Sequence, residues 1–96
     1  MSATWAPDVG AIPANGSTFV TLNDRRDWPS RAGIQRAMVR NNSLAVLTVV
    51  NAPGGAVDVD PGERVDLDMG GARQVVITTD AQAVSAGQVK VQLEVA

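Results

Sequence analysis

In QVKVQLEV, residues 88–95, Val89, Val91, Leu93 and Val95 alternate without a slip with Lys90, Gln92 and Glu94. Successive side chains of an extended strand point to opposite faces, so a period of two sorts the apolar groups onto one side and the polar groups onto the other. A helix would scatter the same residues around its circumference. The period recurs upstream, where AVDVD (56–60) sets Val57 and Val59 against Asp58 and Asp60. ERVDLDM (63–69) then sets Val65, Leu67 and Met69 against Arg64, Asp66 and Asp68.

Other stretches fit the same class. STFVTLN (17–23) and RQVVITT (73–79) are rich in β-branched residues and read as strands. LAVLTVVN (44–51) is apolar at both parities, the pattern of a strand covered on both sides. IQRAMVR (34–40) fits a helical spacing through Ile34, Ala37 and Met38. A strand is favoured, because Asn41-Asn42 ends the run as a turn. APGG (52–55), Pro61-Gly62 and GGAR (70–73) read as turns, and DAQAVSAG (80–87) as a connection or weak strand. The sum is an all-β chain: a small antiparallel β-sandwich or barrel, jelly-roll-like, with an extended N-terminal arm. The arm is residues 1–16, free as a tail or docked on the domain or a neighbouring subunit, and a single β domain fills 17–96.

Size limits the core. With 96 residues there is room for one domain, and with only Trp5, Phe19 and Trp28 as aromatics its core must be built from Val, Leu, Ile, Met and Ala. A buried aromatic covers about 150–250 Å² by itself, so a valine-rich sandwich of this size is expected to gain further burial by self-association.

There is no cysteine and no histidine. A disulfide scaffold, a Cys or Ser-His nucleophile and a histidine switch are thereby excluded, and with them most routes to catalysis. The glycine pairs lack the lysine and following helix of a phosphate loop. The expectation is a chain that is not an enzyme and takes no cofactor or metal. MSATWAPDVG has no basic or apolar leader pattern, and no apolar stretch is long enough for a membrane span.

The net charge is −2, against the concentrated positive charge of a nucleic-acid binder. Charge is unevenly placed. Arg25, Arg26, Arg31, Arg36 and Arg40 fall in one run, and Asp58, Asp60, Glu63, Asp66 and Asp68 in another. Such a division favours complementarity between subunits or partners over a phosphate cradle.

VDVDPGERVDLD (57–68) is the main candidate for a site. As a calcium loop it fails: Val57 and Val59 alternate as a strand does, Pro61 stiffens the bend, and Glu63 comes far too early for a closing bidentate ligand. As a hairpin it works, with Pro61-Gly62 as the turn, every carboxylate to solvent on one face, and Arg64 facing an aspartate across the strands. An acidic docking face or a weak cation site built from Asp58, Asp60, Asp66 and Asp68 stays open beside that reading. Apolar residues in irregular segments mark the candidate partner contacts: Trp5, Val9 and Ile12 in the arm, and Trp28 with Arg25 and Arg26 in the loop at 24–33. Trp28 equally suits a plug at one end of the sandwich.

NNSLAVLTVVN, GAVDVDPGERVDLDMGGARQVVIT and GQVKVQLEV together resemble the small β-sandwich structural proteins of tailed-bacteriophage virions, the head decoration, cement and head-fibre class, over residues 41–96. The resemblance implies a non-enzymatic, multimeric protein, a trimer being favoured, that binds a capsid or connector protein of the same virion and is assembled in the host bacterial cytoplasm. It transfers no site residue. The competing class is an accessory ligand-binding module, carbohydrate-binding or adhesin-like, carried by a larger assembly.

Overall fold

The computed structural model describes residues 3–22, 33–50 and 55–95. These form eight strands: β1 (Ala3–Trp5), β2 (Ser17–Thr21), β3 (Ile34–Asn41), β4 (Leu47–Val50), β5 (Ala56–Val59), β6 (Arg64–Ala72), β7 (Gln74–Thr78) and β8 (Val89–Val95). They pair in two antiparallel four-stranded sheets, with order β1-β8-β3-β6 in one and β2-β7-β4-β5 in the other. Only β4 and β5 are consecutive strands paired in one sheet; every other connection crosses the sandwich. Eight strands wound in this way are the jelly-roll arrangement.

The alternation of the sequence explains which side each strand buries. Val89, Val91, Leu93 and Val95 face inward on β8, while Lys90, Gln92 and Glu94 are exposed. On β3 the inward set is Ile34, Ala37 and Val39, leaving Arg36, Met38 and Arg40 on the outer face. Leu47 and Val49, Val75 and Ile77, and Leu67 and Met69 complete the facing layers. No aromatic belongs to the buried core of the described residues.

Residues 3–16 lie along this body. β1 is an edge strand on β8, with Trp5 opposite Leu93. Further on, the backbones of Ile12 and Val84 exchange both N–H to carbonyl bonds, at 2.9 and 2.8 Å. The next turn is held as well: Thr79 N–H donates to the Gly16 carbonyl at 2.9 Å, and the Thr79 hydroxyl donates to the Pro13 carbonyl at 2.6 Å.

Three local expectations need correction. Pro61-Gly62 does not close a hairpin, because β5 pairs with β4 in one sheet and β6 with β3 in the other. It is a corner that carries the chain across the sandwich, and Asn41 holds it: Gly62 N–H donates to the Asn41 carbonyl at 2.7 Å and Asn41 N–H to the Glu63 carbonyl at 2.9 Å. Gly70-Gly71 is not a turn between strands. Both glycines have positive φ (58° and 88°) and sit inside β6, where the register against β3 slips between Ile34 and Arg36. The bulge bends β6 so that only Arg73 is needed before β7 begins in the opposite sheet. Finally, among the described residues β4 is covered on one side only, with Val50 37% exposed on the outer face.

Candidate interaction surfaces

The two outer faces of the sandwich differ in kind. On the β1-β8-β3-β6 sheet, three cross-strand rows follow from the register. Arg36 lies opposite both Glu94 and Asp68; Met38 lies opposite Gln92 and Asp66; Arg40 lies opposite Lys90 and Arg64. Alternating acid and base at one end therefore give way to three cations side by side at the other. All of these residues are exposed except Met38, which is half-buried at the centre. Arg64 approaches Asp66 on its own strand at 3.8 Å, with both side chains more than half exposed, a geometry worth little to stability. The partner expected for Arg64 across the hairpin is thus replaced by a neighbour along the strand.

The β2-β7-β4-β5 sheet presents an apolar row. Phe19 pairs with Val76, Val76 with Val50, and Val50 with Ala56, so one line of apolar side chains crosses all four strands. Phe19 is 58% exposed. The adjacent row is Ser17, Thr78, Thr48 and Asp58, in which the Thr48 hydroxyl donates to Asp58 Oδ1 at 2.9 Å. Asp58 is the only charge in these two rows.

The acidic stretch is divided by the corner. Asp58 belongs to the apolar sheet's edge, Asp66 and Asp68 to the charged sheet, and Asp60 to the connection between them. One acidic face of Asp58, Asp60, Asp66 and Asp68 does not form, because Pro61-Gly62 sends the two strands to opposite sides. Among the described residues no group of three or more acidic side chains is placed to hold a metal ion. At the corner, Glu63 has its pKa raised above the ordinary 4.5, chiefly by a hydrogen bond with Asp60 and then by repulsion from that carboxylate. Asp80 is shifted the other way. Backbone N–H groups of Gln82 (2.9 Å) and Val46 (3.1 Å) donate to its two oxygens and hold its pKa below 3.8.

Of the proposed partner contacts, Val9 and Ile12 are buried in the chain's own core, at 6% and 1% exposure. Of the two dockings expected for the arm, on the domain or on a neighbouring subunit, the described residues show the first: the segment seals one side of the sandwich. Trp5 is half-buried, packed against that core, and with Pro7, Asp8 and Phe19 it lines a shallow depression between β1 and β2. Trp28, Arg25 and Arg26 lie outside the described residues. Sequence reasoning missed Phe19, Val50 and Val76 as surface groups. For Val50 a signal was available in LAVLTVVN, whose two-sided apolar pattern leaves an outer face that no described residue covers.

The class defined by these features is a jelly-roll sandwich whose outer faces carry its distinctive chemistry. No protein-family model matches the sequence, and no curated protein matches it. Among solved structures, the chain is similar to the coat protein of Tobacco streak virus. A structure of that protein's dimer superposes with a TM-score of 0.58 at 12% identity, covering 99% of this chain and 84% of the other. A second crystal form gives 0.54 at 12% identity, covering 99% and 85%. At this identity the likeness is one of fold. It is to a coat protein of a plant virus, where the sequence resemblance pointed to tailed phages.

Proposed function

We propose that the chain is a non-enzymatic structural protein of a virion, which binds a capsid surface and stabilises it through subunit contacts in the manner of a decoration or cement protein. The observation that carries this reading is the apolar row from Phe19 through Val76 and Val50 to Ala56, which crosses all four strands of one sheet with Phe19, Val50 and Ala56 exposed and Val76 half-buried. Rows of this kind, rimmed by threonine and serine, suit a flat protein partner; they offer no concavity for a small substrate. The near-complete overlap with a coat-protein fold supports the setting.

Cement proteins act by mass action. Each copy that binds only the assembled shell shifts the equilibrium away from loss of subunits. The partners in this reading are a capsid or connector protein of the same virion and further copies of the chain, in keeping with a neighbour whose structure is that of a coat protein dimer. The trimer that the resemblance implies has no feature of the fold behind it. A tailed-phage host rests on the resemblance of residues 41–96.

The test is co-sedimentation. The chain, produced with the genome that encodes it, is expected to band with particles in a density gradient and to be lost from that band when Phe19 is replaced by Asp. A chain that stays at the top of the gradient as a monomer and binds glycans on an array would overturn the reading in favour of the accessory module.

A further inference from the structure

The charged sheet face has a feature that a lone chain does not explain. Arg40 stands directly opposite both Lys90 and Arg64, and side chains so paired on one face lie roughly 4.5–5.5 Å apart at Cβ, where like charges destabilise a sheet. Among the described residues neither the Arg40 nor the Lys90 side chain has an ion pair or hydrogen bond. Four residues along the same strands, the row of Glu94, Arg36 and Asp68 carries two acids around one base. At about 3.4 Å per residue the rows are roughly 13–14 Å apart, beyond the Debye length of about 8 Å at physiological salt. A partner therefore meets two separate ends: one strongly positive, one net negative.

We infer that this face is a two-fold interface between copies of the chain, each presenting its Lys90–Arg40–Arg64 row to the Glu94–Arg36–Asp68 row of the other. The inference rests on the self-association in the proposed function and not on the virion. A two-fold axis along the central row, through Met38, places Lys90 against Glu94 of the second copy and Arg64 against Asp68 of the second copy, and repeats both pairs by symmetry. This is the self-complementary form that isologous contacts require. Met38, half-buried and apolar, meets its own equivalent at the axis, and so does Asp66, whose repulsion is offset by Arg64 on its own strand at 3.8 Å. Arg36 faces Arg40 of the second copy, but its own Glu94 and Asp68 flank it and offset that repulsion. A nucleic-acid strand fits the positive row alone and is repelled by Asp66, Asp68 and Glu94 over the rest of the face; a second copy satisfies both ends.

Sedimentation velocity tests the interface. For the wild-type chain, raising NaCl from roughly 50 to 500 mM is expected to weaken the dimer at least about tenfold, since exposed ion pairs are screened. Two variants then separate charge matching from general stickiness. One carries Arg40→Glu, Arg64→Glu and Lys90→Glu; the other carries Asp68→Lys and Glu94→Lys. All five positions are exposed, and circular dichroism checks that both variants fold. Each alone is expected to be monomeric, and an equimolar mixture to form a heterodimer.

A wild-type oligomer indifferent to salt overturns the inference, as does a folded pair of variants that never associate. So does a monomer that binds a short single-stranded RNA through Arg40. Failure here leaves co-sedimentation with particles unaffected, and failure to band with particles leaves the salt-sensitive dimer standing.

Discussion

The side-chain amide of Asn41, at the end of β3, donates to the Val59 carbonyl at 2.9 Å, tying a central strand of one sheet to an edge strand of the other. The same nitrogen donates to the Ala45 carbonyl at 2.7 Å, while Oδ1 accepts from the Ser43 N–H (2.9 Å) and hydroxyl (2.6 Å). Asn41 is completely buried and every polar atom of its side chain is engaged. Replacing it by alanine strands those carbonyls and the Ser43 groups at the point where the chain changes sheets. An orphaned buried polar group costs about 1–3 kcal/mol, and relaxation recovers part of the sum. Asn41→Ala is expected to lose about 3 kcal/mol in urea denaturation. A loss below about 1 kcal/mol would mean that water replaces the amide.

Ile12 closes the open side of the sandwich. It is 1% exposed and its backbone is bonded to Val84 in both directions. Truncation to alanine creates a cavity among the aliphatic side chains of the core, at a cost of about 2–4 kcal/mol. Deleting residues 2–16 therefore removes core as well as arm, and loss of capsid binding in such a deletion would not by itself identify a contact. Trp5→Ala is the cleaner probe of the β1 edge, with thermal unfolding as the control for both.

Gly33 is packed where no side chain fits. A Cβ there would overlap the carbonyl oxygen of Gly71, which is itself fixed at φ 88° by the bulge in β6. Gly33→Ala is expected to destabilise by about 2 kcal/mol through forced backbone movement. A variant as stable as the parent would show that the bulge gives way freely.

Strands, their inward residues and the sandwich class were legible because alternation is a local property of the sequence, as in Val89 through Val95. The pairing was not. Pro61-Gly62 between two alternating runs is what a hairpin looks like, and nothing in those twelve residues discloses that β5 meets β4 while β6 meets β3. The deciding contacts come from Asn41, about twenty residues upstream, whose buried amide fixes the corner. Whether Ile12 docks on its own domain or on a neighbour was illegible for the same reason: its partner Val84 lies far along the chain. The apolar row was hidden differently. Phe19, Val50 and Val76 are strand residues of ordinary composition, and only register brings them into line.

Two carboxyls set opposite pH dependences. Asp80 has a lowered pKa, so its contribution is present above 3.8 and is lost as pH falls through the folded value. Glu63 has a raised pKa, so its contribution is present below 4.5 and is lost as pH rises through the folded value, where repulsion from Asp60 takes over. Glu63→Gln is expected to raise the melting temperature at pH 7 and to make no difference at pH 3. Asp80→Asn is expected to lower it at pH 7 and to flatten the acid limb. Melting curves across that range check both signs.

Phe19 separates folding from binding. Its side chain is 58% exposed on β2, in line with Val76 and Val50, so replacing it removes little buried surface from the chain itself. Threonine is β-branched, which suits a strand, and Phe19→Thr is expected to stay within about 0.5 kcal/mol of the parent in denaturation. If the row is the lattice contact, the same change removes its one aromatic anchor, where truncations cost about 2 kcal/mol or more. Co-sedimentation with particles should then fall at least tenfold. Leu44 supplies the control: it is more exposed than Phe19, at 82%, but lies on the bend between β3 and β4, off the row. Leu44→Thr is expected to bind as the parent does. Equal losses from both variants would show that general hydrophobicity, and not the ordered row, holds the chain on its partner.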